Sequence, residues 1–223
     1  SLIYYEMGKP TLEEALSSLD GRLHQIFEQT KATQYSGFLT QGKCFRYKAA
    51  VSRPYKGNRK YGDKPIIFPA IREYLKQIWG FTSIPELEAD DLVSIYHNEN
   101  TVICSPDKDV LYQNVGTHYN YGKAELITVN ETEALTFLWK QMLMGDSTDG
   151  IQGIPKVGAK TADAWLQSPN TSQMPTFVLE KYIEKFGIHE GISKFGETFQ
   201  LIYILKTKEE AERTVGIEVP ELI

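Results

Sequence analysis

The sequence offers almost nothing to a redox centre or a zinc site. Its two cysteines, Cys44 and Cys104, lie far apart and lack CxxC spacing. That excludes a disulfide framework and a thiolate zinc site, and it fits a reducing cytoplasm. The four histidines, His24, His97, His118 and His189, form no HExxH or other paired pattern, so each reads as a solvated or core side chain. No apolar run reaches the length of about 18 residues that a membrane span needs. The first residues show no signal-peptide pattern. Internal repeats and low-complexity segments are also missing.

What is present suits a globular fold. With 41% hydrophobic and 12% aromatic residues among 223, the chain can build a sizeable core, as one large domain or a domain with a subdomain. Its net charge of −5 argues at first against a nucleic-acid ligand. The acids are unevenly spread, however. Seven of them, Glu88, Asp90, Asp91, Asp107, Asp109, Asp146 and Asp149, fall in three short clusters, and the rest of the chain is net positive. Cations bound at the clusters would offset them.

In chain order, Ser1 to Tyr5 reads as the end of a strand that begins abruptly, so residues upstream are expected. Thr11 and Glu14 make a capping-box pattern, and apolar residues then recur at helical spacing to about Thr30. Tyr35 to Leu39 reads as a second strand and Gln41 to Lys43 as a turn. Between 46 and 64, seven basic residues (Arg46, Lys48, Arg53, Lys56, Arg59, Lys60, Lys64) face one acid, Asp63, with Tyr47, Tyr55 and Tyr61 interleaved. Such a stretch suits single-stranded backbone contact and base stacking, or is a solvated basic loop. Pro65 to Trp79 and Glu86 to Tyr96 read as helices. The acids at the start of the second would complement a helix dipole. Thr101 to Cys104, His118 to Tyr121 and Glu125 to Val129 read as strands. Carboxylates follow the first of these at once, where ligands bind in α/β sheets. Asn130 and Glu133 cap a helix that ends near Leu143. Helices are expected again from Gly158 to about 167, at about 175–186 and at 191–206, followed by an extended or frayed tail from Thr207.

The densest chemistry lies in Gly145 to Ala162. Asp146 and Asp149, three apart, could share a metal or its water. The run Gly153-Ile154-Pro155-Lys156-Val157-Gly158-Ala159-Lys160-Thr161 makes a tight turn and opens a helix, offering backbone N–H groups to a phosphate. A polar loop with a capping glycine is the plain alternative. A P-loop fits poorly, because Ala159 intrudes before Lys160 and the segment follows a helix rather than a strand. Seven carboxylates on three elements, without His or Cys partners, favour Mg²⁺ or Mn²⁺ over zinc. Two such ions would suit phosphodiester hydrolysis. No cluster has the EF-hand pattern.

Together these residues resemble the 5′ nuclease (flap endonuclease) superfamily, and most of all its bacteriophage 5′–3′ exonuclease members. The resemblance rests on Tyr55-Lys56-Gly57-Asn58-Arg59, Glu88-Ala89-Asp90-Asp91, Ser105-Pro106-Asp107-Lys108-Asp109, Gly145-Asp146-Ser147-Thr148-Asp149 and Gly153 to Thr161, in that order. It implies an α/β fold, with a parallel-rich central sheet flanked by helices (PIN-like). Residues 1–144 would form the nuclease core, with a helical arch or gateway at about 46–80. Residues 145–223 would carry a helix–three-turn–helix (helix-hairpin-helix) element and the C-terminal helices.

The resemblance also implies roles. Glu88, Asp90, Asp91 and Asp107 would hold a first metal, and Asp109, Asp146 and Asp149 would lean to a second. Lys56 and Arg59 would be the catalytic basic residues that grip the scissile phosphate. Gly153, Ile154, Lys156, Val157, Gly158, Lys160 and Thr161 would grip duplex DNA, with a K⁺ ion. The implied substrate is DNA with 5′ ends or flaps, or RNA–DNA primers, cut by a monomer in the cytoplasm, the host's if the protein is phage-encoded. Primer removal in DNA replication or host-DNA degradation would suit such an enzyme.

Two departures stand out. The superfamily has a metal-binding Asp on its first strand, which is expected to lie upstream of Ser1. It also usually has an Asp at the end of the second strand, where this chain has Phe38, Leu39, Thr40 and Gln41. A catalytically impaired protein that binds duplex or flap DNA is therefore the alternative. A PIN-type RNase ranks below both, because it does not account for Gly153 to Thr161.

Overall fold

The computed structural model describes residues 2–58 and 66–221; Arg59, Lys60, Tyr61, Asp63, Lys64 and Pro65 lie outside them. The chain opens with a helix, α1 (Leu2–Glu6), where a strand end was expected. Tertiary contacts overrule the β-prone composition. Ile3 is buried with α2 (Leu12–Thr30) and α4 (Ile67–Gln77), and the buried carboxylate of Glu6 pairs with Arg22 of α2 at 2.8 Å. The Thr11 side chain accepts from Glu14 N–H at the start of α2, as the capping signal predicts. The expected strand at 35–39 is reduced to one parallel bridge, Phe38 to Thr82. A short helix, α3 (Arg46–Ala49), precedes the strap that runs through Lys56.

Helix α5 (Ala89–Ile95) starts later than its apolar pattern suggests. Glu88 is its N-cap, and the Glu88 and Asp91 side chains form a reciprocal capping box. Two of the three clustered acids thus have the ordinary helix-start role. The sheet follows, with β1 (Ile103–Cys104), α6 (Lys108–Tyr112), β2 (Gly116–Asn120) and β3 (Glu125–Val129), in the order β1-β2-β3. The parallel-rich sheet expected from the sequence is not what the described strands form. β1 pairs parallel with β2, and β2 pairs antiparallel with β3. The short turn after Asn120, whose side chain accepts from the Gly122 and Lys123 amides, can join strands only as a hairpin.

The Asn130–Glu133 capping box opens α7 (Glu131–Met144). Its end leads into a small antiparallel pair, β4 (Gly145–Asp146) and β5 (Ile151–Gln152). Here glycine is required. A Cβ on Gly145 would come 2.3 Å from Gly153 N, and one on Gly153 would come 2.3 Å from Gly145 N. After β5 come α8 (Ala159–Leu166), α9 (Met174–Phe186) and α10 (Ile188–Ile202). They share a core with Leu138, Trp139, Met142 and Leu143 of α7. The expected tail instead contains α11 (Lys208–Val215), started by a Thr207–Glu210 capping box and held by buried Ala211. No helix among the described residues is long and apolar enough to cross a membrane.

One buried knot joins these parts. Arg46 is 3% exposed, so it does not belong to the basic surface that its sequence neighbours suggested. Its guanidinium donates to both oxygens of Asp91 at 2.7 Å, to Glu88 Oε2 at 3.2 Å, and to the carbonyls of Leu201 and Tyr203 at 3.2 and 2.7 Å. Asp91 also accepts from Leu205 N–H. Deleting one partner of such a knot leaves the other charge buried alone, at a cost of about 3–5 kcal/mol. We expect Arg46→Ala to lose stability of that order in urea denaturation, with Asp91→Ala losing a similar amount and the double variant far less than the sum of the two.

Candidate active site

The cleft is built at the meeting of four segments: the start of α5, the β1–α6 loop, the β4–β5 turn and the strap after α3. A cavity of about 1690 Å³ runs from between β1 and residues 37–40 into this cleft. Glu88, Asp90, Asp107, Asp109, Asp146 and Asp149 all line it, together with Lys56. Asp91, the seventh acid, does not. Both its oxygens are committed to Arg46 and it is fully buried. The structure therefore corrects its reading as a metal-group residue, because the chain itself supplies its counter-charge.

The acids that remain are balanced unequally. Glu88 is nearly buried, yet Arg46 and Lys56 outweigh its desolvation and hold its carboxyl below the usual range. Lys56 Nζ lies 2.5 Å from Glu88 Oε1 and 3.7 Å from Asp149 Oδ2. The Tyr55 hydroxyl hydrogen-bonds the same two carboxylates, at 3.0 and 3.2 Å. Consecutive residues thus join two acid clusters. Tyr55 is itself buried, so it cannot offer a stacking face to a base as the sequence pattern suggested.

Asp90 and Asp109 carry the excess charge. Desolvation, then Glu88 and Asp107, push Asp90 up to about 7. Desolvation, then Asp107 and a hydrogen-bonded Asp146, push Asp109 up to about 7. Gln141 of α7 donates to Asp109 Oδ1 at 2.8 Å and orients it. Asp107 Oδ1 accepts from Asp109 N–H, and Asp146 Oδ1 from Thr148 N–H. Asp146 and Asp149 thus lie in the β4–β5 turn rather than on the last turn of a helix.

Among the described residues, no three His, Cys, Asp or Glu side chains already stand as a coordination shell. The donor chemistry nevertheless fits a hard divalent cation. The available ligands are all oxygen, and burial together with neighbouring carboxylates pushes Asp90 and Asp109 up to about 7, a cost that a bound cation would relieve. Glu88, Asp90 and Asp107 could hold one ion, and Asp109, Asp146 and Asp149 another.

Beyond the cleft, Gly153 to Thr161 links β5 to α8. Ile154 is buried and its N–H bonds to Leu143 O at 2.8 Å, which docks the turn on α7. Lys156, Gly158 and Lys160 are exposed; Gly153, Val157 and Thr161 are half-buried. Gly158 is the N-cap of α8, and no side chain caps that end. Arg59 lies outside the described residues. Sequence reasoning missed Thr40, Tyr55, Gln141 and Arg46 as supports of the site. In the stretch 38–41, which carries no acid, the Thr40 hydroxyl accepts from Ala89 N–H at the start of α5.

No family model matches the sequence. A 5′-3′ exonuclease from Buchnera aphidicola subsp. Acyrthosiphon pisum is 32% identical over an alignment of 145 positions that covers 56% of this chain and 49% of that protein. The chain thus spans about half the length of that relative. Among solved structures, bacteriophage T5 D15 flap endonuclease in complex with DNA and metal ions matches with a TM-score of 0.66 and 19% identity, over 90% of this chain and 85% of that one. T5 5′-exonuclease with bound zinc matches with a TM-score of 0.58 and 17% identity, over 89% and 80%. At these identities the solved structures show the fold.

The carboxyl balance has a measurable consequence. In the metal-free protein, Asp90 and Asp109 keep protons that an unfolded chain gives up at about pH 4. The folded state then binds more protons between about pH 4 and 7, so their contribution lowers stability as pH rises through that window. We expect Asp90→Asn, in EDTA, to have a higher urea midpoint than the parent at pH 8, with the gap closing by pH 5. Millimolar Mg²⁺ should raise the parent's midpoint at pH 8 and raise the variant's less.

Proposed function

We propose that this chain, which is similar to a 5′-3′ exonuclease over about half that protein's length and shares the fold of solved flap endonuclease structures, hydrolyses DNA phosphodiesters near a 5′ end or flap junction with divalent metal. The observation that carries this reading is six carboxylates and Lys56 on one cavity.

The division of labour follows from the geometry. Glu88, Asp90 and Asp107 on one side, and Asp109, Asp146 and Asp149 on the other, would hold Mg²⁺ or Mn²⁺. Bound ions supply water activation and neutralise phosphate charge. Lys56, now paired with Glu88 and Asp149, is a cation within reach of a phosphate entering the cleft. Its charge would favour the more negative transition state. Gln141 keeps Asp109 turned toward the cleft. At α8, backbone N–H groups from Gly158 to Thr161, with Lys156 and Lys160, would hold one strand of the duplex. A K⁺ ion there belongs to the same proposal, as do Arg59 as a second phosphate-gripping residue and a monomer acting on flaps or RNA–DNA primers.

A second reading has its own support. With Thr40 capping α5 rather than an acid facing the cleft, the first metal group has fewer ligands than the superfamily usually has. The chain would then bind duplex or flap DNA with little cleavage.

Both readings meet in one assay, cleavage of an end-labelled 5′-flap duplex with Mg²⁺. The expected result is cutting near the junction, reduced about a hundredfold or more in Asp146→Ala and in Lys56→Ala. Duplex binding without cutting would sink the nuclease reading in favour of the second. If neither occurs, both readings fail.

A further inference from the structure

Helix α10 carries a carboxylate that the cleft does not use. Glu197 Oε1 accepts from the backbone N–H groups of Val51 at 2.7 Å and Ser52 at 2.6 Å. Its Oε2 accepts from the Ser52 hydroxyl. Against partial desolvation, these donors hold the carboxyl below its usual range. Val51 is 85% exposed and Ser52 is exposed. Their side chains are not packed into a core, so hydrogen bonds to Glu197 are what fix this point of the chain.

The fixed point is the root of the strap that carries Tyr55 and Lys56. At its far end, Lys56 N–H bonds to Asp149 O at 2.8 Å, and Asn58 donates to Ser147 O at 2.6 Å. Between the anchors, Lys56 holds φ +55°, a left-handed conformation that a free lysine rarely adopts. It persists only where the surroundings over-determine it. Tyr55, buried between these anchors, steadies the middle of the strap, and Glu197 holds its root.

We propose that Glu197 is a positioning residue. It clamps the Val51–Ser52 backbone to α10 and so fixes where Lys56 Nζ stands between Glu88 and Asp149. It touches neither substrate nor metal and acts through the strap. The carboxylate thereby couples the C-terminal helices to the cleft. The kinetic part of this inference rests on the nuclease reading; the structural part does not.

The test compares Glu197→Ala with Glu197→Gln, which keeps an amide oxygen for the two N–H donors. Amide hydrogen exchange on the metal-free, DNA-free protein is the first readout. In Glu197→Ala, exchange at Val51, Ser52 and Lys56 should rise at least tenfold, while α10 amides and the melting temperature stay as in the parent. Glu197→Gln should restore most of the protection. In Mg²⁺-dependent flap cleavage, kcat should fall about tenfold in the Ala variant with KM little changed, and recover in the Gln variant. If α10 itself loosens in the Ala variant, Ser52→Ala replaces it, with a smaller rise at Lys56 expected. Unchanged exchange at Lys56, or equal behaviour of Ala and Gln, overturns the proposal. So does faster exchange with unaltered kcat. A parent that does not cleave flaps defeats the nuclease reading alone, and the exchange result still decides the clamp.

Discussion

The guanidinium of Arg46 is the constraint on which the rest of the structure depends. A buried cation must be matched, and here the match comes from two regions far from α3 in sequence: the start of α5 and the end of α10. The Leu201 carbonyl it contacts is 155 positions away. Once Arg46 claims Asp91, the register of α5 is set. Neighbouring positions on a helix point about 100° apart, so with Asp91 turned inward Asp90 is left beside the cleft. The same ion pair that anchors the fold thus separates a buried, paired acid from one that lines the cleft.

The cleft itself is a problem of surplus negative charge, met from two sides. Lys56 and Tyr55 bridge Glu88 to Asp149, while burial and neighbouring carboxylates push Asp90 and Asp109 up to about 7. Metal binding would resolve both, freeing Lys56 for a phosphate. That arrangement needs accurate backbone placement, and the chain provides it at two points. Gly145 and Gly153 let β4 and β5 approach without side chains between them. Thr40 accepts from Ala89 N–H and stabilises the start of α5.

Where the sequence was misleading, the reason is consistent. Residues 46–64 look like a basic, aromatic surface, yet Arg46 and Tyr55 are interior. Composition counts charges but does not reveal which of them meet buried partners. Leu2 to Glu6 has strand composition and folds as a helix because Ile3 and Glu6 find partners on α2. The hairpin after Asn120 makes one of the two strand pairings antiparallel. Thr207 and Glu210 did carry a legible capping box, but the charged residues around it read as a tail because Ala211 and Val219 reach their core only through long-range packing.

Local rules were enough for the sequence by itself to determine a good deal. The Thr11 and Asn130 caps, the β3 strand, the glycine-rich turn into α8 and the grouping of acids into three clusters depend on residues a few positions apart, and all are present in the structure. Only the tertiary structure decided which acids face the cleft, which lysine reaches them and which arginine is buried. Those outcomes turn on the desolvation of each charge and on the distance to its nearest opposite. Both are properties of segments brought together from across the chain, and no local pattern encodes them.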